Sequence, residues 1–593
     1  MQNNHNLFVF TELISPARWP LKNVQNYSHY DILVLGKIIS RFPSLGMLIP
    51  RVTILLHQQL YTITPGYDQK GCCFMDKFSL PASVGVAAIG LKTGLIIPND
   101  DIAAITTDTV KPFVEDGDII CVTEAVVARS QNRYITCDEL ADDIVAKLQL
   151  KAKSTLAVIS PIASRNRFAL IMKSLAMATR GGKVIVQLSI PFDEVGNRII
   201  NEEFATTRLR LKKVLKSLRE ARENTPQLNV LIREIVAALK LQEMGYNIIS
   251  IRKITGKGIA DLTVRTPEGK LAVAEVTFGH LERTAAKAID IKRDVKGAEQ
   301  ALAIAVDLGH YNIKIVDAHT LLENPEEAVP ATYKFDSQLD SYYDPDVIYT
   351  NEMEKLTFSH PITGLDYRHL YLEMIAAGGA QGEIIFSNNP LKVYDRGYLN
   401  GICIGAVHEG EKLRELFEAF GANVPVITIG DVGPGQWGVI GSNVSDFDQG
   451  MLKLLPGDPD EMANKIKDKI KFATGKEAEV LIFGDGAYKD PDSGIYELAD
   501  PYPAIGISRG LCGASLRTGV KLKLQVDTLY NQGYSREQIE AIIKKLPQEA
   551  TAGELGTTPR EMTSIIATLA DLVTGSADLG TPIVLIRGFK FSS

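Results

Sequence analysis

VLIFGDGAYKDPDSGIYELADP, residues Val480 to Pro501, carries the reading of this chain. Four consecutive apolar residues, Val480 to Phe483, make a strand of the fully buried type, and Gly484 and Gly486 let the backbone turn tightly on either side of Asp485. The turn then supplies Lys489, Asp490, Asp492, Glu497 and Asp500. Hard oxygen donors crowded beside a strand end suit a divalent cation that bridges phosphate oxygens. A solvated acidic loop is the plainer alternative for the same composition.

A second stretch, LGTTPREMTSIIATLADLVTGSADLGTPI from Leu555 to Ile583, weighs against that alternative. Thr558, Pro559 and Glu561 form a helix-start signature, and Ile565, Leu569 and Leu572 recur at helical spacing. The helix runs into the small-residue segment Gly575 to Gly580, able to approach an anion closely. Gly484-Asp485-Gly486, Lys489-Asp490-Pro491, Glu497 to Pro501, Gly556 to Arg560 and Gly575-Ser576 to Pro582 follow one another in an order that resembles the coenzyme F420-0:L-glutamate ligase family.

Farther upstream, Lys92 to Asp101 and Asp116 to Glu124 resemble that family's substrate-binding segment: an extended Pro-Asn-Asp-Asp entry, then a Gly-Asp turn opening a buried strand. The family continues into a Ser-Lys-x-Glu-Gly-Arg run. The matching residues here, Ala128 to Arg133, keep basic side chains at Arg129 and Arg133 but carry Gln131 in place of the glutamate, which weighs against the coenzyme precursor itself as substrate. Both arginines suit a carboxylate or phosphate clamp. Ser160 to Arg167 follows a strand and opens an apolar helix, so Ser164 and Arg165 lie where free backbone N–H groups favour an anion. Trp437 to Asp446 resembles the segment Gly-x-Asp-x-Ser-Asn, with Asn443 at the metal-binding aspartate's place and Asp446 at the final asparagine.

The resemblance breaks off after Asn197 and resumes at His360. Such a gap marks an inserted domain. Its leading helix is basic (Arg208, Arg210, Lys212, Lys213, Lys216, Arg219, Arg222), and a second helix carries Glu234. Three strand-like pieces follow, with Asp261 in the second and Glu275 in the third. This resembles the PD-(D/E)xK nuclease core, in which paired carboxylates hold magnesium and a lysine two residues on activates water. Thr277 stands where that lysine is expected, leaving Lys287 or Lys292 as substitutes, and Gln300 is where such folds often carry glutamine.

The expected architecture is therefore mixed α/β: a ligase-like body, 75–202 and 346–593, interrupted by a small restriction-endonuclease-like α/β insert, 203–345. Relatives that begin close to Met75 imply that residues 1–74 are either a loosely packed extension or a start assigned too early, the second being preferred. At 593 residues with 45% hydrophobic and 23% charged content the chain is long enough for several cores, and a net charge of −7 confines any nucleic-acid contact to a regional patch. Six scattered cysteines without a CxxC pair, and charges interrupting the apolar 32–60 region, point to a reducing cytoplasm and no membrane span.

What the resemblance implies is an amide ligase, dimeric, that uses GTP and manganese or magnesium to phosphorylate a small-molecule carboxylate before an amino acid such as L-glutamate attacks. Asp485, Lys489 and Arg129 would be catalytic; Asp485, Asp490, Asn443 and Asp446 would hold metal; Ser164, Arg165, Thr558, Gly575 and Ser576 would hold the nucleotide. The sequence lacks GxxxxGK[ST], so a P-loop is not the cradle. Two rival readings stay open: nucleic-acid binding or cleavage through Glu234, Asp261 and Glu275 of the insert, and a catalytically silent binding protein.

Overall fold

A computed structural model of the chain describes residues 85–162, 167–221, 225–310, 312–334, 344, 346–349, 366–486, 488–489, 496–497, 502–513, 522–543, 545, 562–575 and 580–589. Residues 1–74, the His360 segment, and Ser164, Arg165, Asp490, Thr558 and Ser576 lie outside this set.

Among the described residues, twenty-two strands form five sheets. In chain order the first are β1 (Ala87–Leu91), β2 (Ile119–Thr123), β3 (Tyr134–Thr136), β4 (Thr155–Ile159) and β5 (Lys183–Leu188). A second group follows: β6 (Asn247–Thr255), β7 (Gly258–Arg265), β8 (Leu271–Thr277), β9 (Gln300–Asp307), β10 (Asn312–Asp317) and β11 (Ala331–Lys334). Then come β12 (Ile348–Tyr349), β13 (Gln381–Phe386), β14 (Gly401–Ile404), β15 (Val426–Thr428), β16 (Asn443–Asp446) and β17 (Met451–Lys453). The last are β18 (Glu479–Phe483), β19 (Tyr488–Lys489), β20 (Tyr496–Glu497), β21 (Ala504–Ile507) and β22 (Ile583–Arg587).

The strand that opens the decisive stretch, β18, lies inside a sheet ordered β1-β22-β2-β18-β21. It runs parallel to β2, with Phe483 beside Thr123 at the carboxyl ends. Both strands are apolar on both faces because both faces are covered. Ile120, Val122, Val480 and Ile482 pack against Ile466 and Ile470 of the helix Pro459–Thr474, while Ile119, Cys121, Leu481 and Phe483 pack against Met562 and Ile566 of the helix Met562–Thr574.

A second sheet, β12-β13-β5-β4-β14-β15, is parallel except at β12 and is covered by helices on both faces. This is the α/β subdomain that the strand and helix alternation predicts. A three-stranded sheet, β16-β17-β3, carries the Asn443 turn.

The segment read from the sequence as an insert contains a separate sheet. Order β11-β10-β9-β8-β7-β6 is drawn wholly from residues 247–334, with only β8 and β9 parallel. Helices Glu202–Arg219 and Pro226–Glu243 cover one face, and the helix Leu281–Lys292 covers the other. The predicted basic helix differs from expectation in one respect. Arg208 and Lys212 are fully buried: Arg208 donates to Leu239 O and pairs with Glu243 (2.9 Å), and Lys212 donates to Val347 O with its ammonium over the Tyr349 ring. Two of its charges thus bind the helix to its neighbours, and the exposed basic stripe is reduced to Arg210, Lys213, Lys216 and Arg219. Among the described residues no helix is long and apolar enough to cross a membrane.

Candidate functional site

The carboxyl ends of β2 and β18 lie side by side, so the residues that leave them meet. After β18 comes the turn Gly484-Asp485-Gly486; after β2 comes Glu124, the first residue of the helix Glu124–Ser130. Asp485 is half-buried. Gly486 presses on the helix Met562–Thr574: its N–H donates to Asp571 Oδ2 (2.8 Å), and a β-carbon there would stand 3.1 Å from Thr568 Cα. Only glycine fits that approach without displacing backbone. Gly575 N–H in turn donates to Asp571 O (3.0 Å), so one buried aspartate ties the Asp485 turn to the predicted small-residue loop.

A second link runs the other way. Lys453, in β17, donates to both oxygens of Glu124 (2.8 and 2.6 Å), and both side chains are buried. A β-carbon on Gly484 would lie 3.9 Å from Glu124 Cγ, so this ion pair abuts the Asp485 turn. Across β16 and β17, Asn443 stands in register with Lys453. Beside β2, Thr123 N–H donates to Pro582 O, and among the described residues the buried hydroxyl of Thr581 has no hydrogen-bond partner. Trp437, which precedes β16, meets Tyr502 edge to face at 6.4 Å, and its buried indole N–H likewise has no partner among the described residues.

The predicted residues fare differently. The turn that holds Asp485 is tied to Gly575 through Asp571, and leads to Asn443 through Glu124 and Lys453 in succession. Asp446 lies beyond a bulge in β16 and accepts from Gln449 N–H, capping its own turn. Lys489 has its backbone in the β19–β20 hairpin, opposite Tyr496. Arg129 reaches Ile96 O at 3.5 Å. Arg133, read from the sequence as a clamp, is instead committed to backbone: it donates to Pro434 O (2.9 Å) and Leu455 O (3.5 Å). Gln131 makes a two-way amide pair with Gly457, so its departure from the family's glutamate has a structural use here.

Glu124, Lys453 and Asp571 escaped the sequence reading. Each sits in an apolar run, such as Met451-Leu452-Lys453-Leu454-Leu455. A lone charge in such a run is almost never buried unpaired, and that is the signal by which they could have been found.

In the insert, Asp261 and Glu275 cap each other's strands. Asp261 N–H donates to Glu275 Oε1 (3.1 Å) and Val276 N–H to Asp261 Oδ2 (2.9 Å). The Lys287 ammonium pairs with Glu275 and stands 3.6 Å from Asp261, which makes Lys287, and not Lys292, the lysine of this cluster. Gln300 turns elsewhere, donating to Asp317. Glu234, 1% exposed, pairs with Arg252 through one oxygen while the other has no hydrogen-bond partner among the described residues. Burial, reinforced by the Asp261 charge, pushes Glu234 up to about 7, and the same two causes push Glu275 up to about 7.

Since the folded protein holds these protons more tightly than the unfolded chain, their contribution to stability is complete below the ordinary carboxyl range, near 4.5, and is lost as pH rises through about 7. Glu234→Gln should therefore flatten the melting temperature's fall between pH 5 and 8 and stabilise the insert at pH 8 by roughly 1–3 kcal/mol. Thermal melts across that range measure it; an unchanged slope would contradict the protonated state of Glu234.

Comparison with known proteins adds two findings. The model of the family described as F420-0:Gamma-glutamyl ligase matches residues 90–588. Over 137 residues, 23% of this chain, the sequence is 29% identical to the coenzyme F420:L-glutamate ligase of Methanocaldococcus jannaschii, and the match spans 41% of that protein's length. The family match covers most of the chain and takes in every residue of the Asp485, Asp571 and Glu124–Lys453 arrangement: the chain belongs to the F420-0:gamma-glutamyl ligase family.

Proposed function

We propose that this protein is an amide ligase of the γ-glutamyl type that joins a carboxylate to an amino acid such as L-glutamate at the expense of GTP. A carboxylate oxygen attacks the γ-phosphorus and releases the nucleoside diphosphate. The amine nitrogen then attacks the acyl carbon, forming the amide, expelling inorganic phosphate and losing a proton. A carboxylate alone resists an amine, and the phosphoryl transfer supplies the leaving group. The observation that carries this reading is the meeting of the Asp485 turn, the Gly575 helix end and the Lys453–Glu124 pair at two parallel strand ends.

Manganese or magnesium fits the donor set in kind. Asp485 and Asn443 offer oxygen, and Asp490 and Asp446 are the further donors proposed. Among the described residues no three His, Cys, Asp or Glu side chains converge as a ready-made cage. That agrees with a hard cation taken up with the nucleotide, which is held by one or two carboxylates plus substrate phosphates. When bound, it would offset charge on the polyphosphate. The orphaned Thr581 hydroxyl and Trp437 indole N–H are polar groups that a bound nucleotide or substrate could satisfy. Lys489 and Arg165 are proposed to steady phosphates, Arg129 the acceptor carboxylate, and Ser164, Thr558, Gly575 and Ser576 the nucleotide. A homodimer is proposed on family grounds.

The test is a thermal-shift series with GTP or ATP, with and without manganese or magnesium. A ligand present at a hundred times its dissociation constant stabilises the native state by about 2.7 kcal/mol. GTP plus metal is expected to raise the melting temperature more than either alone. No shift with any nucleotide and metal would refute the ligase reading.

A further inference from the structure

We infer that the insert binds single-stranded nucleic acid, with a base stacked on Phe278 and the phosphate backbone running along the β6–β7 hairpin. Phe278 follows the end of β8, three residues after Glu275, and is 64% exposed. Its ring is not idle, because the Arg233 guanidinium lies 4.8 Å from its centroid. An arginine on one side of an exposed aromatic ring leaves a flat, cation-backed platform, the arrangement on which an unpaired base stacks irrespective of its identity.

The surroundings carry the matching charge. Over residues 247–292, which build β6, β7, β8 and the helix Leu281–Lys292, eight Lys and Arg face five Asp and Glu, a net +3 in a chain whose total is −7. Lys253 and Lys257 are exposed on the hairpin, Lys257 in a surface pair with Asp290 that water and phosphate can exchange.

Glu234, Asp261 and Glu275 do not spoil this field. Asp261 and Glu275 accept from backbone N–H groups and share the Lys287 ammonium, Arg252 covers Glu234, and Lys287 is 52% exposed. A duplex fits this surface poorly, since its bases are already stacked on both faces; a single strand offers bases free to leave the backbone.

Fluorescence anisotropy with the full chain tests the inference, using a fluorescein-labelled mixed-sequence 20-mer as single-stranded DNA, as the same RNA, and as a DNA duplex at about 50 mM salt, where phosphate contacts still dominate. Either single strand, or both, should bind more tightly than the duplex. Phe278→Ala should weaken single-strand binding by roughly tenfold while Phe278→Trp retains it. The double variant Lys253→Gln, Lys257→Gln should lower the slope of log affinity against log salt by about 1.4, the loss of two phosphate contacts on a single strand. Absence of saturable binding, equal binding of duplex, or an unaltered affinity in Phe278→Ala overturns it. Phe278→Ala should keep the thermal shift with GTP and metal, so a failure here and a failure of the ligase reading are separate results.

Discussion

Asp485→Ala is expected to fold and melt much as the parent does and to lose nucleotide turnover by at least about two orders of magnitude, the size of effect seen when one preorganised electrostatic contact to a developing charge is removed. The side chain is only half-buried, at the exit of a strand whose core residues are untouched by the change. Its backbone is held independently, by Gly484 N–H donating to Pro503 O and Gly486 N–H donating to Asp571. Asp485→Asn should fall between the two, since an amide oxygen still coordinates a hard cation with less charge. The measurement is metal-dependent phosphate release with the amino acid acceptor present. An alanine variant as active as the parent would remove Asp485 from the proposed metal site.

Lys453→Met should be the most destabilising single change at the site. It leaves Glu124, 7% exposed, as a buried carboxylate with its ammonium gone, a loss of about 3–5 kcal/mol for a broken buried pair. Pairing it with Glu124→Gln should recover much of that loss, because the uncompensated charge disappears with its partner. Chemical denaturation of the two single variants and the double variant measures the coupling. Single variants that cost under about 1 kcal/mol, as an exposed pair would, contradict the buried assignment. The same series reports on function. The pair joins the end of β2 to β17, where Asn443 stands in register, so a double variant that is stable yet shows a reduced thermal shift with nucleotide and metal separates alignment of the site from stability of the fold.

Much of the fold was legible in short patterns. The buried run Val480–Phe483, the helical recurrence at Ile565, Leu569 and Leu572, and the strand-like pieces of the insert each report a local preference that the tertiary structure keeps. The same patterns misjudged where charges go. Arg208 and Lys212 belong to a basic helix by sequence, yet their periodicity puts them on its inner face, where carbonyls and a glutamate receive them. Arg133 looked like a substrate clamp and serves two loop carbonyls instead. Lys287 was one of two candidate lysines, and only the packing of its helix against β8 singled it out.

By itself the sequence determined the family, the alternation of strands and helices, and the oxygen-rich turn at Asp485, because these depend on residue types at fixed local spacing. Only the tertiary structure decided that Glu124, Lys453 and Asp571 hold that turn to its neighbours. Each of their partners lies tens to hundreds of residues away, and a buried charge is matched by whatever strand end the fold delivers beside it, a relation that no local spacing records.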